Sequence, residues 1–250
     1  MSGKIYFIGA GPGDPELITV KGLKIIQQAD VIVYAGSLVP VSMFSKAKTS
    51  RIIDSSGLTL EETHALLKNA WEEGLTAVRL HTGDPSIFGT IHEQGELLSN
   101  DNIPFEIIPG VTAAFAGAAL ARLSFTFPEV NQTLIITRMS GRTPVPEAQK
   151  LRELARSKSS MAIYLSAGMA GKMQDELLEA GLPGDTFAVI GWKLGWEDEE
   201  VIQTDLSGLA AAAKERGISG QAVFLIVPGH NTAHRSKLYD PEFSHGFRKQ

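Results

Sequence analysis

His81-Thr82-Gly83-Asp84-Pro85-Ser86-Ile87-Phe88-Gly89 follows directly on a short apolar run, residues 77–80. A buried strand that ends in a glycine-marked tight turn is where open α/β sheets put their ligands, because strand ends and the following loops form a crevice. A plainer reading stands beside it. Gly83 would serve only the backbone, and Asp84 would cap a helix whose first position is Pro85.

Working outward, the same grammar repeats. Residues 5–8 are apolar and end in Gly9-Ala10-Gly11-Pro12-Gly13-Asp14-Pro15, and residues 17–29 have the spacing of an amphipathic helix. Residues 31–34 read as a second strand and 51–54 as a third. Thr59-Leu60-Glu61-Glu62 is a capping-box start for a helix over 60–73 that stops at Gly74. Beyond the opening stretch come a helix over 91–98, a strand at 107–108, and Pro109-Gly110-Val111-Thr112 before a small-residue helix over 113–121. Strand and helix alternate, so the fold class is α/β with largely parallel or mixed sheets.

Around residues 124–130 the pattern breaks at Pro128. The expected organisation is an N-terminal α/β domain over 1–121 with glycine-rich loops, a linker over 122–129, a C-terminal α/β domain over 130–229 and a tail over 230–250. In the second domain the pattern predicts strands at 133–137, 161–165, 186–190, 201–204 and 222–227, with helices over 147–156, 171–180 and 206–216.

Composition narrows the function classes. With 250 residues, 43% of them hydrophobic and 20% charged, the chain has enough apolar material for two cores. It has no cysteine, which excludes disulfides and thiolate metal sites and suits a reducing cytoplasm. The amino terminus shows no basic region followed by a signal-length apolar run, and no stretch reaches the ~20 apolar residues of a membrane span. Net charge of −5 without a basic tract argues against nucleic acid, while local arginines leave room for a small anionic ligand.

The loops do not bind phosphate well. A dinucleotide fingerprint needs G-x-G-x-x-G opening onto a helix. Here the glycines fall at 9, 11 and 13, and Pro12 and Pro15 remove amide donors. There is no P-loop lysine, no G-x-S-x-G elbow and no H-E-x-x-H. His81 opens this stretch and His92 lies near it, but a lone histidine is more often structural. Exposed backbone at the loops 9–15, 35–40, 82–89 and 109–113 suits a reaction that depends on positioning rather than proton traffic.

Three of these loops, Gly9-Ala-Gly-Pro-Gly-Asp-Pro-Glu-Leu-Ile-Thr, Thr82-Gly-Asp-Pro-Ser-Ile-Phe-Gly and Pro109-Gly-Val-Thr-Ala, in this order and spacing, closely resemble the tetrapyrrole methylases that use S-adenosylmethionine. The resemblance covers the chain up to about His230. Tyr34-Ala-Gly-Ser-Leu-Val and Thr137-Arg-Met-Ser-Gly-Arg-Thr-Pro-Val-Pro look like the branch that methylates C11 of precorrin-4, or of its cobalt complex, on the way to cobalamin.

The resemblance implies a cofactor held in a cleft between two α/β domains. Matching positions imply cofactor contacts at Pro12, Gly83, Asp84, Ile87, Thr112 and Ala113 from the first domain, and at Leu165 and Leu194 from the second. Relatives more often carry methionine or a small residue at the last two, and tyrosine where Phe88 stands. Tyr34, Ser37, Arg138 and Arg142 are the substrate-side candidates, the arginines because the substrate carries many carboxylates. S-adenosylmethionine has no phosphate, so Pro12 and Pro15 do no harm, and backbone oxygens can hold its methyl group through weak C–H···O contacts of ~0.5 to 1 kcal/mol. Alignment of a macrocycle carbon with that methyl group supplies roughly 7 to 11 kcal/mol as effective molarity. The resemblance further implies S-adenosylhomocysteine as product, no protein-bound metal, and a cytoplasmic homodimer. Methylation at another ring position or of uroporphyrinogen III, or a non-catalytic tetrapyrrole- or nucleoside-binding module, are the alternatives.

Overall fold

Alternating apolar strands and amphipathic helices build two sheets, each in its own unit, in the computed structural model, which describes residues 3–36, 38–230, 236–240, 243, 244 and 246. The first unit is Met1–Ala116 with Lys193–Glu199, and the second is Gly117–Trp192 with Glu200–Gln250.

In the first unit, β1 (Lys4–Gly9), β2 (Val31–Tyr34), β3 (Ile52–Asp54), β4 (Thr76–His81) and β5 (Phe105–Ile108) form an all-parallel sheet in the order β3-β2-β4-β1-β5. Alternate residues of a strand point to opposite faces. Ile8, Ile32, Val78 and Leu80 pack on one face with Ile26 of α1 (Val20–Gln28). Ile5, Phe7, Val33 and Ala77 pack on the other with Leu67 of α2 (Leu60–Glu72) and Leu98 of α3 (Ile91–Asn100). Burial of both faces explains why these strands read as unbroken apolar runs. The capping box at α2 forms as predicted: Glu62 N–H donates to Thr59 Oγ1 (3.2 Å) and Thr59 N–H to Glu62 Oε2 (2.8 Å). The small-residue helix α4 (Ala113–Leu120) follows β5.

The second unit has β6 (Leu134–Arg138), α5 (Leu151–Ala155), β7 (Ser160–Tyr164), α6 (Ala170–Glu179), β8 (Phe187–Trp192), β9 (Glu200–Asp205), α7 (Leu209–Glu215) and β10 (Ala222–Val227). Its sheet is mixed, in the order β6-β7-β10-β8-β9, with only β6 and β7 parallel. Leu151, Met173, Leu177 and Leu209 from the helices share one core with Met161, Ile163, Ile190 and Phe224 from the strands.

Three helices differ from the sequence reading. The helix expected over 17–29 begins only at Val20. Asp14 accepts from the Glu16 N–H and starts a separate 3-10 turn, Pro15–Leu17, and an extended Ile18 then leads to Thr19, which caps α1. The helix expected over 147–156 is split by Lys150 in an extended conformation, and the part after it is set by the buried pair Leu151 and Ala155, one helical turn apart. The helix expected over 206–216 starts at Leu209, because Leu206 is fully buried and its N–H donates to the Thr186 carbonyl (2.8 Å). The tail over 230–250 lies largely outside the described residues.

Candidate functional site

Parallel β4, β1 and β5 are neighbours, so the loops that follow them leave the sheet at one edge. Their backbones interlock. Ala10 N–H donates to the His81 carbonyl (2.7 Å), Gly83 N–H to the Gly11 carbonyl (2.7 Å) and Gly11 N–H to the Gly83 carbonyl (3.2 Å). A Cβ on Gly110 would lie 2.1 Å from the Gly83 carbonyl oxygen, and one on Gly9 would lie 2.6 Å from Gly110. Gly83 has φ of 62°, a backbone that other residues adopt at a cost. These glycines therefore let three loops touch one another, a stricter demand than leaving backbone open to a ligand.

Asp84 ties the arrangement together. Its Oδ2 accepts from Gly110 N–H (2.9 Å) and its Oδ1 from Ser86 N–H (2.9 Å). No helix starts at Pro85, so the capping reading is corrected: residues 85–88 form a turn, and positive φ at Phe88 (54°) and Thr90 (51°) keeps helix from forming before Ile91. A carboxylate has about four acceptor positions, so two remain after these bonds.

Pro12, Gly83 and Thr112 are buried, and Asp84, Ile87 and Ala113 are half-buried, all at this edge. Leu194 joins them from far along the chain. The sequence reading assigns it to the second domain; the structure instead places Lys193–Glu199 in the first unit. The cause is Gly13, where a Cβ would meet the Leu194 carbonyl oxygen and the Trp196 ring, each at 2.7 Å. Gly195, with φ of 79°, passes as closely over Asp14, and Leu194 is buried. No local spacing reports a contact across about 180 residues, so the close approach of Gly195 and Trp196 to Gly13 and Asp14 is not legible in the sequence.

Leu165 stands in the second unit just after β7, exposed and in a left-handed conformation (φ 51°). The turn that carries it is held by Ser166, whose Oγ donates to the Tyr164 carbonyl (2.6 Å) and accepts from Met139 N–H (2.9 Å). Since β6 and β7 are parallel, Leu165 and the Arg138–Pro146 turn leave at the same edge. Arg138 donates to the carbonyls of Met139 (3.3 Å), Thr143 (3.1 Å) and Pro144 (2.8 Å) and so shapes the turn it begins. Arg142, at the turn's tip, is exposed. Tyr34 ends β2 with its ring edge-on to Phe44, 4.6 Å between centroids. Ser37 lies outside the described residues.

Neither histidine is arranged as a base. His92 is exposed beside Glu96. His81 is 6% exposed, with its Nε2 buried and without a hydrogen-bond partner. Burial, helped by Arg79 and opposed by Asp84, pushes its imidazole down to about 3, so the ring is neutral.

The donor chemistry fits the cofactor that the loop pattern implies. Loops 9–15, 82–89 and 109–113 hold two carboxylates, Asp14 and Asp84, and no lysine or arginine. That suits a ligand with cationic sulfonium and ammonium groups, and would not suit a phosphate. Among the described residues no group of three or more His, Asp or Glu is placed to hold a metal ion.

Comparison with known proteins agrees with this architecture. Residues 4–210 match the Tetrapyrrole (Corrin/Porphyrin) Methylases, and the chain belongs to that family. It is 46% identical to the cobalt-precorrin-4 C(11)-methyltransferase of Priestia megaterium, and 41% identical to the precorrin-4 C(11)-methyltransferase of Pseudomonas aeruginosa, each over 98% of both chains. It also resembles an X-ray structure of a cobalamin biosynthetic enzyme, cobalt precorrin-4 methyltransferase, with a TM-score of 0.87 and 45% identity over 90% of this chain and 94% of that one.

Proposed function

We propose that this protein transfers a methyl group from S-adenosylmethionine to C11 of precorrin-4, or of its cobalt complex, in cobalamin biosynthesis. The observation that carries the reading is identity above 40% along the full length with C11-methyltransferases, in a chain whose cofactor loops and Arg138–Pro146 turn both fit. Bound S-adenosylmethionine supplies an electrophilic methyl group and leaves as S-adenosylhomocysteine.

The chain supplies position. Pro12, Gly83, Ile87, Thr112, Ala113 and Leu194 are our cofactor residues on the first unit, and the family resemblance adds Leu165 of the second. Asp84 holds its loop against Gly110 and offers its remaining acceptors to the cofactor's amino or hydroxyl groups. Tyr34, Ser37, Arg138 and Arg142 receive the tetrapyrrole, with Arg142 reaching a carboxylate and Arg138 fixing the turn. The division of 1–121, 122–129 and 130–229 remains our reading of the domains, apart from Lys193–Glu199. We also infer a cytoplasmic homodimer that binds neither membrane nor nucleic acid. Family resemblance supports the dimer, the lack of cysteine supports the compartment, and the net charge of −5 argues against nucleic acid. Among the described residues no helix is long and apolar enough to cross a membrane.

The test is incubation with methyl-labelled S-adenosylmethionine and precorrin-4, with and without cobalt, followed by NMR location of the label. Label at C11 is expected. Label at another carbon would assign the chain to another branch, and cofactor binding without transfer would make it a binding module. Within the same assay Arg142→Ala should raise KM for the tetrapyrrole about tenfold, the worth of one charged hydrogen bond, and leave cofactor affinity unchanged; equal loss of both would remove Arg142 from the substrate side.

A further inference from the structure

On the face of β4 that carries α2 and α3, the first unit has a cavity of about 240 Å³ that is open to solvent, with Ser55, Thr63, Arg79, Thr90, Glu93 and Gln94 in its wall. That volume admits a carboxylate-sized group. Arg79 reaches into it from mid-sheet. Its Nε donates to Gln94 Oε1 (3.2 Å) and its Nη1 to Ser55 Oγ (2.8 Å), both neutral acceptors. Among the described residues Arg79 makes no ion pair and its Nη2 has no partner.

The nearest influential carboxylate, Asp54, is occupied elsewhere. Its Oδ1 accepts from Gly36 N–H (2.9 Å) and Ser56 N–H (2.8 Å), and it only partly offsets the burial that pushes the Arg79 guanidinium down to about 10. A second polar group points the same way. The side chain of Thr63 belongs to a residue only 5% exposed, and its hydroxyl has no hydrogen-bond partner among the described residues. Arg79 is half-buried and its guanidinium donates only to neutral acceptors, so a small anion at its free edge would add the charge-assisted hydrogen bond it lacks.

We propose that this cavity is an anion-binding site, taking one carboxylate or a comparable small oxyanion on the free guanidinium edge of Arg79 and the Thr63 hydroxyl. Exposed Glu93 at the rim sets a like charge nearby, so a singly charged anion is favoured over a doubly charged one. The anion is either a carboxylate arm of the tetrapyrrole or a free ion. The first assignment rests on the methyl-transfer reading; the site itself does not.

The test is a titration of the free protein with sodium acetate and with inorganic phosphate at constant ionic strength, followed by the guanidinium 15Nε resonance of Arg79, assigned by its loss in Arg79→Lys. Acetate should shift the resonance saturably. Thr63→Val, which matches threonine in shape and keeps the fold, should weaken acetate about tenfold, and Glu93→Gln should tighten it. No saturable shift, or a shift that neither variant changes, overturns the site. Where acetate binds, competition by precorrin-4 assigns the site to a substrate arm, and simultaneous binding assigns it to a free ion. Failure of methyl transfer leaves the acetate titration of the free protein intact, so the two readings fail separately.

Discussion

A Cβ at Gly110 would sit 2.1 Å from a carbonyl oxygen, whereas one at Gly168, Gly171 or Gly220 would meet nothing within 4 Å. In the first unit's loops Gly9, Gly13 and Gly110 are sites of backbone crossing, whereas the close approaches in the second unit, at Gly184, Gly208 and Gly229, are to side chains. The Arg138–Pro146 turn of the second unit is organised differently, by one guanidinium on three carbonyls. The first unit's glycine loops are thus fixed by the main chain at Gly9, Gly13 and Gly110, and the Arg138–Pro146 turn is fixed by a side chain. Main-chain interlocking suits a cofactor common to many enzymes; a turn shaped by side chains can be altered to suit a different substrate.

The sharpest way to break this comparison is Gly110→Ala. The added carbon meets main chain on both Gly83 and Gly9, which cannot swing aside as a side chain would. A loss of at least about 3 kcal/mol in urea unfolding is expected, at the upper end of overpacking costs. Loss of S-adenosylmethionine binding should accompany it, because the Asp84 contact to Gly110 N–H is displaced. A variant with wild-type stability and cofactor affinity would show that the loops are slack.

A smaller effect tests how dry the first unit's loop edge is. The second unit satisfies its buried Asn131 and Ser160 with bonds of 2.6 to 2.8 Å to each other and to the Phe125 carbonyl. His81 in the first unit leaves Nε2 unpartnered. Its folded-state value, about 3, lies below the ordinary 6.5, so the unfolded chain binds a proton that the fold refuses. Stability from this residue is complete above pH 6.5 and is lost as pH falls toward about 3, at up to about 1.4 kcal/mol per pH unit. In denaturant titrations from pH 7 to 4, His81→Leu should flatten the decline by that amount. Parallel profiles would mean that His81 protonates without cost and that the edge is wet.

These particulars also separate what was legible in the sequence from what was not. The strands at 31–34 and 222–227 fall where the apolar runs end, because a fully buried strand is bounded by its turn residues. The loops at Gly9, Gly83 and Gly110 were legible as strand-end loops, yet their crossing joins residues up to a hundred positions apart, which local patterns do not encode. The return of Leu194 onto Gly13 was hidden for the same reason. One arginine in an apolar strand carries no motif, so Arg79 is not legible in the sequence; the structure shows its free edge facing a cavity.

The smallest predicted effect has the opposite sign. Gly171 lies in the first turn of α6, its φ is not positive, and a Cβ there meets nothing within 4 Å. Alanine would restrict the unfolded chain without straining the fold, so Gly171→Ala should stabilise the protein by about 0.5 kcal/mol in urea unfolding. It should leave S-adenosylmethionine affinity untouched. Paired with Gly110→Ala, the same one-carbon change then gives opposite signs in the two units, which is the expected signature if crossing main chains, and not glycine content, make the first unit's loops intolerant. A measurable loss at Gly171 would mean that the second unit also depends on close approach there, and the distinction between the two kinds of loop would fall.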